Sequence, residues 1–220
     1  FTLHDQHYID AELLSTRLLK LALNQAHREP FHAFVKRYFD YITYFFNADK
    51  EINKGRIIDL CFWNIFIIDD KKWIHFDLEW KPKYEDYSLI TEFVLFRSLL
   101  HWLVTVAGPF LTHFRTKMGI STYKDFIVDV FCYLNLEFDD IKMDKFIDQE
   151  IHFQKATSIK QYDIEKSKID LKNILSTHFP ENDNTLKEQL DHVNKCIHME
   201  FEKSELLRNK LTDLECMHTQ

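Results

Sequence analysis

Asp59, Asn64 and Asp77 lie in the stretch GRIIDLCFWNIFIIDDKKWIHFDLEW at residues 55–80, where an Asp is followed by an Asn five positions on, then by two short apolar runs and an Asp-x-Glu pair. Oxygen-bearing side chains in this order suit phosphoryl transfer. That reaction needs a carboxylate to orient the attacking hydroxyl and accept its proton, and hard oxygen ligands for one or two Mg2+. In this reading Asp59 is the base, Asn64 a neutral metal ligand, Asp77 the main metal carboxylate, and Glu79 a further ligand or its support. A plainer reading stays open: Asp59 capping a turn, Asn64 as a turn residue, and Asp77 in a structural ion pair.

These side chains can converge only if the chain between them doubles back. Residues 65–68 and 73–76 are short β-type runs around the polar turn Asp69-Asp70-Lys71-Lys72, and read as a hairpin. The rest of the pattern is helical. Asp10 can cap a helix through AELLSTRLLKLALN, and from Pro30 onward Phe31, Phe34, Val35, Tyr38, Phe39, Ile42 and Phe45 recur at helical spacing. Thr91 can cap a long helix to Ala107, stopped by Gly108-Pro109, and residues 123–138 and 141–153 give two more helices. The expected fold class is mainly α with a small β-hairpin.

Composition agrees. The chain is 45% hydrophobic, with 20 Phe and only 3 Gly, which favours an aromatic, helix-rich core. A net charge of −7 argues against a nucleic-acid surface, while a bound cation leaves a phosphate substrate open. Cys61, Cys132, Cys196 and Cys216 form no C-x-x-C pair, so reduced thiols and a cytoplasmic setting are expected. No helix N-terminus or positioned His is evident to activate Cys61 as a nucleophile. His4 and His7, and His27 and His32, lack partners in zinc-like order. The most apolar run, residues 93–111, is interrupted by Arg97, Ser98 and His101, and is expected to be a buried core helix rather than a transmembrane segment.

Near residue 156 the aromatics thin out, which suggests a domain over 1–155 and a helical extension over 156–220. Leu186, Leu190, Val193, Ile197, Leu207, Leu211 and Leu214 hold one heptad register, interrupted by Glu200 and Ser204. A coiled-coil stub through 184–218, pairing with a partner helix or a second copy, and a helix folding back on its own domain are both compatible with this pattern.

The 55–80 stretch resembles the catalytic-loop-to-metal-loop segment of the choline kinase and aminoglycoside phosphotransferase branch of the kinase-like superfamily, in which an Asp-x4-Asn loop leads through a hairpin to Ile-Asp-x-Glu. A closer likeness is to the kinase-like modules attached to bacterial methyltransferases and glycosyltransferases of surface-polysaccharide synthesis. It rests on FDLEW at 76–80, FVLFRSLL at 93–100, and Phe153-Gln154. The position two before Asp59, where kinase-like loops usually carry His, is Ile57. The resemblance implies a protein-kinase-like C-terminal lobe, Mg2+ and ATP as cofactors, a sugar or glycan acceptor, and a cytoplasmic location peripheral to the inner membrane. It also implies Arg97 clamped to Glu79 or Asp77 as structural support. Trp80, next to the acidic pair, is the candidate for a glycan contact, with a core aromatic as the plainer reading. No Gly-rich phosphate loop precedes Gly55, so the nucleotide-clamping N-terminal lobe is expected to be absent from this chain. The second expectation, from a different class, is a non-catalytic kinase-like remnant serving as an assembly module.

Overall fold

Leu14, Leu18 and Ala22 recur every four residues and are buried, which fixes the inner face of the first helix, α1 (Leu14–Leu23). The computed structural model describes residues 11–23, 28–48, 56–69, 72–76, 89–111, 118–157 and 163–180. Glu12 and Leu13, expected to open the helix, instead form a short strand, β1 (Glu12–Leu13), that pairs antiparallel with Ile67 and Phe66 of β2 (Ile65–Ile67). The physical reason is the hairpin's open edge. Backbone groups of β2 need partners on that side, and pairing outweighs the weak helix preference of two residues. Glu12 is then held by Arg17 and by Lys20, the latter at 2.7 Å.

α2 (Glu29–Ala48) keeps the predicted stripe, burying Phe31, Phe34, Val35, Tyr38 and Ile42, with Pro30 in its first turn, where the missing N–H has no helical partner to lose. The expected hairpin forms between β2 and β3 (Trp73–His75), with Ile65 opposite His75 and Ile67 opposite Trp73. Its turn is closed by Ile68 N–H on the Lys72 carbonyl (3.0 Å) and by Lys72 N–H on the Asp69 carboxylate (2.8 Å). The described chain is therefore mainly helical with a small antiparallel sheet in the order β1-β2-β3.

α3 (Ile90–Trp102) buries ten of its 13 residues. It begins after Leu89 without a side-chain cap, so Thr91 is not the cap expected. It also ends earlier as an α-helix, widening into a π turn (Leu103–Ala107) and then a 3-10 turn (Gly108–Phe110). Two causes act here. Thr105 Oγ1 donates back to the His101 carbonyl (2.7 Å), and Pro109 has no N–H to continue the ladder. By length and composition, Ile90–Ala107 could cross a membrane, and 67% of this segment is buried among other parts of the chain.

α4 (Tyr123–Tyr133) starts with a reciprocal cap. Asp125 N–H donates to Thr122 Oγ1 (3.1 Å) and Thr122 N–H to the Asp125 carboxylate (2.9 Å). It stops short of residue 138 because Asn135 takes a left-handed conformation (φ 55°). α5 (Asp140–Thr157) follows, then α6 (Ile164–Leu175), capped by the Asp163 side chain on Lys166 N–H.

The loss of aromatics near residue 156 does not end the packed unit. Leu171, Leu175 and Phe179 are buried in the same core as α3 and α4, and a bridge joins His178 to Thr122. The two compact units are Phe1–Phe179 and Pro180–Gln220. The heptads at 184–218 lie outside the described residues.

Candidate functional site

Two 3-10 turns, Arg56–Asp59 and Phe62–Asn64, carry Asp59 and Asn64, and both side chains are turned inward: the residues are 4% and 8% exposed. Asn64 Nδ2 donates to the Asp59 carbonyl at 2.9 Å, and Asn64 N–H donates to the Cys61 carbonyl at 2.9 Å. Because a carbonyl accepts the first bond, the bonded end of the amide must be its NH2 group. That leaves Asn64 Oδ1 on the other branch of the planar amide. The sequence reading thus placed Asp59 and Asn64 in one loop, and the structure ties them through backbone and side chain.

The hairpin returns to this loop. Phe76 N–H donates to the Asn64 carbonyl at 3.0 Å, and the Phe76 ring stacks on Phe66 with centroids 4.7 Å apart. Asp77, Glu79 and Trp80 lie outside the described residues.

Beneath the loop sits a polar cluster that the sequence announced only in part. Arg97 of α3 donates from Nη1 to the Ile58 carbonyl (3.1 Å) and to Cys61 Sγ (3.1 Å). Its Nε donates to Glu150 Oε2 at 2.9 Å, and its guanidinium lies 4.3 Å from the Phe153 ring centroid. Among the described residues, the carboxylate bonded to Arg97 is therefore Glu150 of α5, where the sequence reading expected Asp77 or Glu79. α5 packs directly on α3, so its inward carboxylate reaches the guanidinium. The other oxygen of Glu150 meets His101 Nε2 (2.9 Å) and accepts from Gln154 Nε2 (2.8 Å).

Burial pushes the Glu150 carboxyl up, but the His101 hydrogen bond and the charges of Arg97 and His101 outweigh it and hold it below the usual carboxylate range. Asp59 contributes its charge to the same field, acting on both Arg97 and Cys61. Burial pushes the Cys61 thiol up and outweighs the opposing charge of Arg97, so it is a neutral packing group.

A second prop comes from α2. Tyr38 Oη donates to the Leu60 carbonyl at 2.7 Å and shares a 2.8 Å hydrogen bond with Ser98 Oγ. Carbonyls 58, 59 and 60 of the loop are thus bonded in turn to Arg97, Asn64 and Tyr38. The residues missed at the sequence level are Tyr38, Ser98, His101 and Glu150. Ser98 and His101 were visible as polar breaks in an apolar helix beside Arg97, whereas Glu150 sits in an ordinary polar helical stretch and gave no signal.

His32 is a buried core histidine. His32 has a carboxylate partner across the fold: its Nε2 lies 2.8 Å from Asp129, which also binds Arg28. No group of three or more His, Cys, Asp or Glu suited to a metal occurs among the described residues. Asp59 and Asn64 supply oxygen donors of the type Mg2+ prefers. Comparison of the chain with protein-family models, with curated proteins and with solved structures gives no match.

Proposed function

We propose that this chain is a kinase-like, metal-dependent phosphotransferase module, of the kind attached to bacterial methyltransferases or glycosyltransferases of surface-polysaccharide synthesis. Asp59 is the base that orients the acceptor hydroxyl. Asn64 and Asp77 are the residues that would hold Mg2+, which supplies charge neutralisation at the transferred phosphoryl group. The acceptor oxygen bonds to the γ-phosphorus of ATP, the bond to the departing ADP oxygen breaks, and the hydroxyl proton passes to the Asp59 carboxylate.

The observation that carries this reading is the bond from Asn64 Nδ2 to the Asp59 carbonyl. It locks the base and the amide ligand into one rigid turn, with Phe76 drawn against the same residue by the hairpin. Prearranged donors cost little reorganisation when charge develops.

A second reading is favoured by a different observation. Asp59 and Asn64 are 4% and 8% exposed, which limits access to a substrate hydroxyl. On that ground the loop is a retained fold element in a non-catalytic assembly module.

Thermal unfolding with Mg2+ and ATP separates the two. A ligand present at a hundredfold its Kd adds about 2.7 kcal/mol, or roughly 5–10 °C for a chain of this size. The phosphotransferase reading expects such a shift in the wild-type chain and its loss in Asp77→Ala. No shift, or the same shift in Asp77→Ala, favours the assembly module.

A further inference from the structure

A cavity of about 490 Å3 opens where α2 meets the β2–β3 hairpin, lined by Arg37, Asp40, Tyr41, Tyr44, Lys72 and Trp73. The four residues from α2 are linked by i,i+3 pairs (Arg37 with Asp40, Tyr41 with Tyr44) and i,i+4 pairs (Arg37 with Tyr41, Asp40 with Tyr44), which places them on one helix face. Trp73 is fixed from three sides. The Arg37 guanidinium lies 5.3 Å from its ring centroid, Phe34 lies at 5.4 Å and Tyr41 at 5.5 Å. Tyr41 is anchored in turn by a 2.8 Å hydrogen bond between its Oη and His75 Nδ1. Tyr44 is 75% exposed, an unusual position for a large ring. Trp73 Nε1 is buried and has no hydrogen-bond partner among the described residues.

We infer that this cavity is a binding site for a pyranose carbohydrate. Its aromatic walls suit the C–H faces of sugar rings, and its rim mixes an acceptor (Asp40), donors (Arg37 and Lys72) and two groups that can do both (Tyr41 and Tyr44). A polyhydroxylated ligand satisfies such a mixture, because each hydroxyl donates and accepts. Asp40 is paired with Lys36 (2.7 Å), and with Arg37 and Lys72 beside it the rim also admits an anion, so a nucleoside phosphate is the competing ligand that the test must separate. The volume falls within the range of small-ligand sites.

The site also has a direction. β3 runs from Trp73 toward Phe76, and three residues of strand cover about 10 Å. At its far end Phe76 is bonded to Asn64, so a saccharide seated over Tyr44 lies within a few sugar units of the loop carrying Asp59. As an acceptor subsite the cavity rests on the phosphotransferase reading; as a carbohydrate site it stands on its own residues.

The test uses the full chain in buffer without Mg2+ or nucleotide, so its outcome is independent of the phosphotransferase assay. An array of neutral and uronate-containing pyranose oligosaccharides is screened, and the retained glycan is titrated by tryptophan fluorescence. Tyr44→Ala is expected to weaken binding roughly three- to tenfold, the scale of one aromatic contact. Asp40→Asn is expected to weaken it by a similar factor, and both variants should keep the wild-type unfolding temperature because both side chains are exposed. Retention of no glycan overturns the inference, as does binding unaffected by either variant. In a parallel titration with ATP alone, still without Mg2+, ATP binding that is lost in Tyr44→Ala overturns it too.

Discussion

Removing one partner of the Arg97–Glu150 pair should unfold this protein far more readily than removing both. Glu150 is 0% exposed and Arg97 9%, so each charge has been taken out of water and depends on the other. In Arg97→Met the Glu150 carboxylate keeps only His101 and Gln154, and the Ile58 carbonyl loses its donor. In Glu150→Gln the guanidinium keeps the Ile58 carbonyl and the field of Asp59 but loses its bonded counter-charge. Breaking a buried pair costs about 3–5 kcal/mol, whereas replacing both members by apolar groups is often close to neutral. Each single variant should therefore unfold roughly 6–20 °C lower.

The double variant Arg97→Met/Glu150→Leu should cost less than either single change, an interaction energy of about 3 kcal/mol or more. Urea unfolding followed by tryptophan fluorescence reads all four corners of this cycle, since Trp63 lies against both Arg97 and His101. The pH dependence gives an independent arm. Glu150 is held below its ordinary value of 4.5 in the folded chain, so its contribution is present above about pH 4.5 and is lost as pH falls through the lower folded value. Wild type should lose stability below pH 4.5 more steeply than Glu150→Gln. Additive single costs within about 0.5 kcal/mol, or identical acid profiles, would refute the claim that the pair holds the loop.

Two further outcomes test the architecture around it. Asn64→Leu leaves the Asp59 carbonyl buried without its donor and should cost about 1–3 kcal/mol in urea unfolding; a neutral result would mean that the turn holds without its side-chain tie. Gly108→Ala places a Cβ 1.9 Å from Tyr123 Oη and 2.6 Å from the Leu103 carbonyl, so it should destabilise by about 3 kcal/mol or more by overpacking. Adding Tyr123→Phe should recover only part of that loss, because the backbone contact remains.

How much of this was legible beforehand varies from residue to residue. The spacing of Phe31, Phe34, Val35, Tyr38 and Ile42 announced α2 with its buried face, and the polar turn between two β-type runs announced the hairpin. Local chemistry dominates in both, so a sequence window carries the information. The strand at Glu12 and Leu13 was not legible, because its cause is the open edge of a hairpin more than fifty residues away. The end of α4 was a turn too far along for a similar reason: periodicity continues past Asn135, and only its left-handed backbone stops the helix. The composition change near residue 156 misled because exposed helices lose aromatics without leaving the domain, as α6 does while still burying Leu171 and Leu175.

The candidate site divides along the same line. By itself the sequence determined that Asp59 and Asn64 share one short loop, that a hairpin follows, and that a charged side chain interrupts the apolar helix at Arg97. Those are facts of spacing and residue type. Only the tertiary structure decided which carboxylate answers Arg97, that Tyr38 and Ser98 prop Leu60, and that Phe153 and Gln154 close around the ion pair. Ion pairing over 53 residues is set by which helices pack together, and packing is decided by shape and buried area over the whole core rather than by any local pattern.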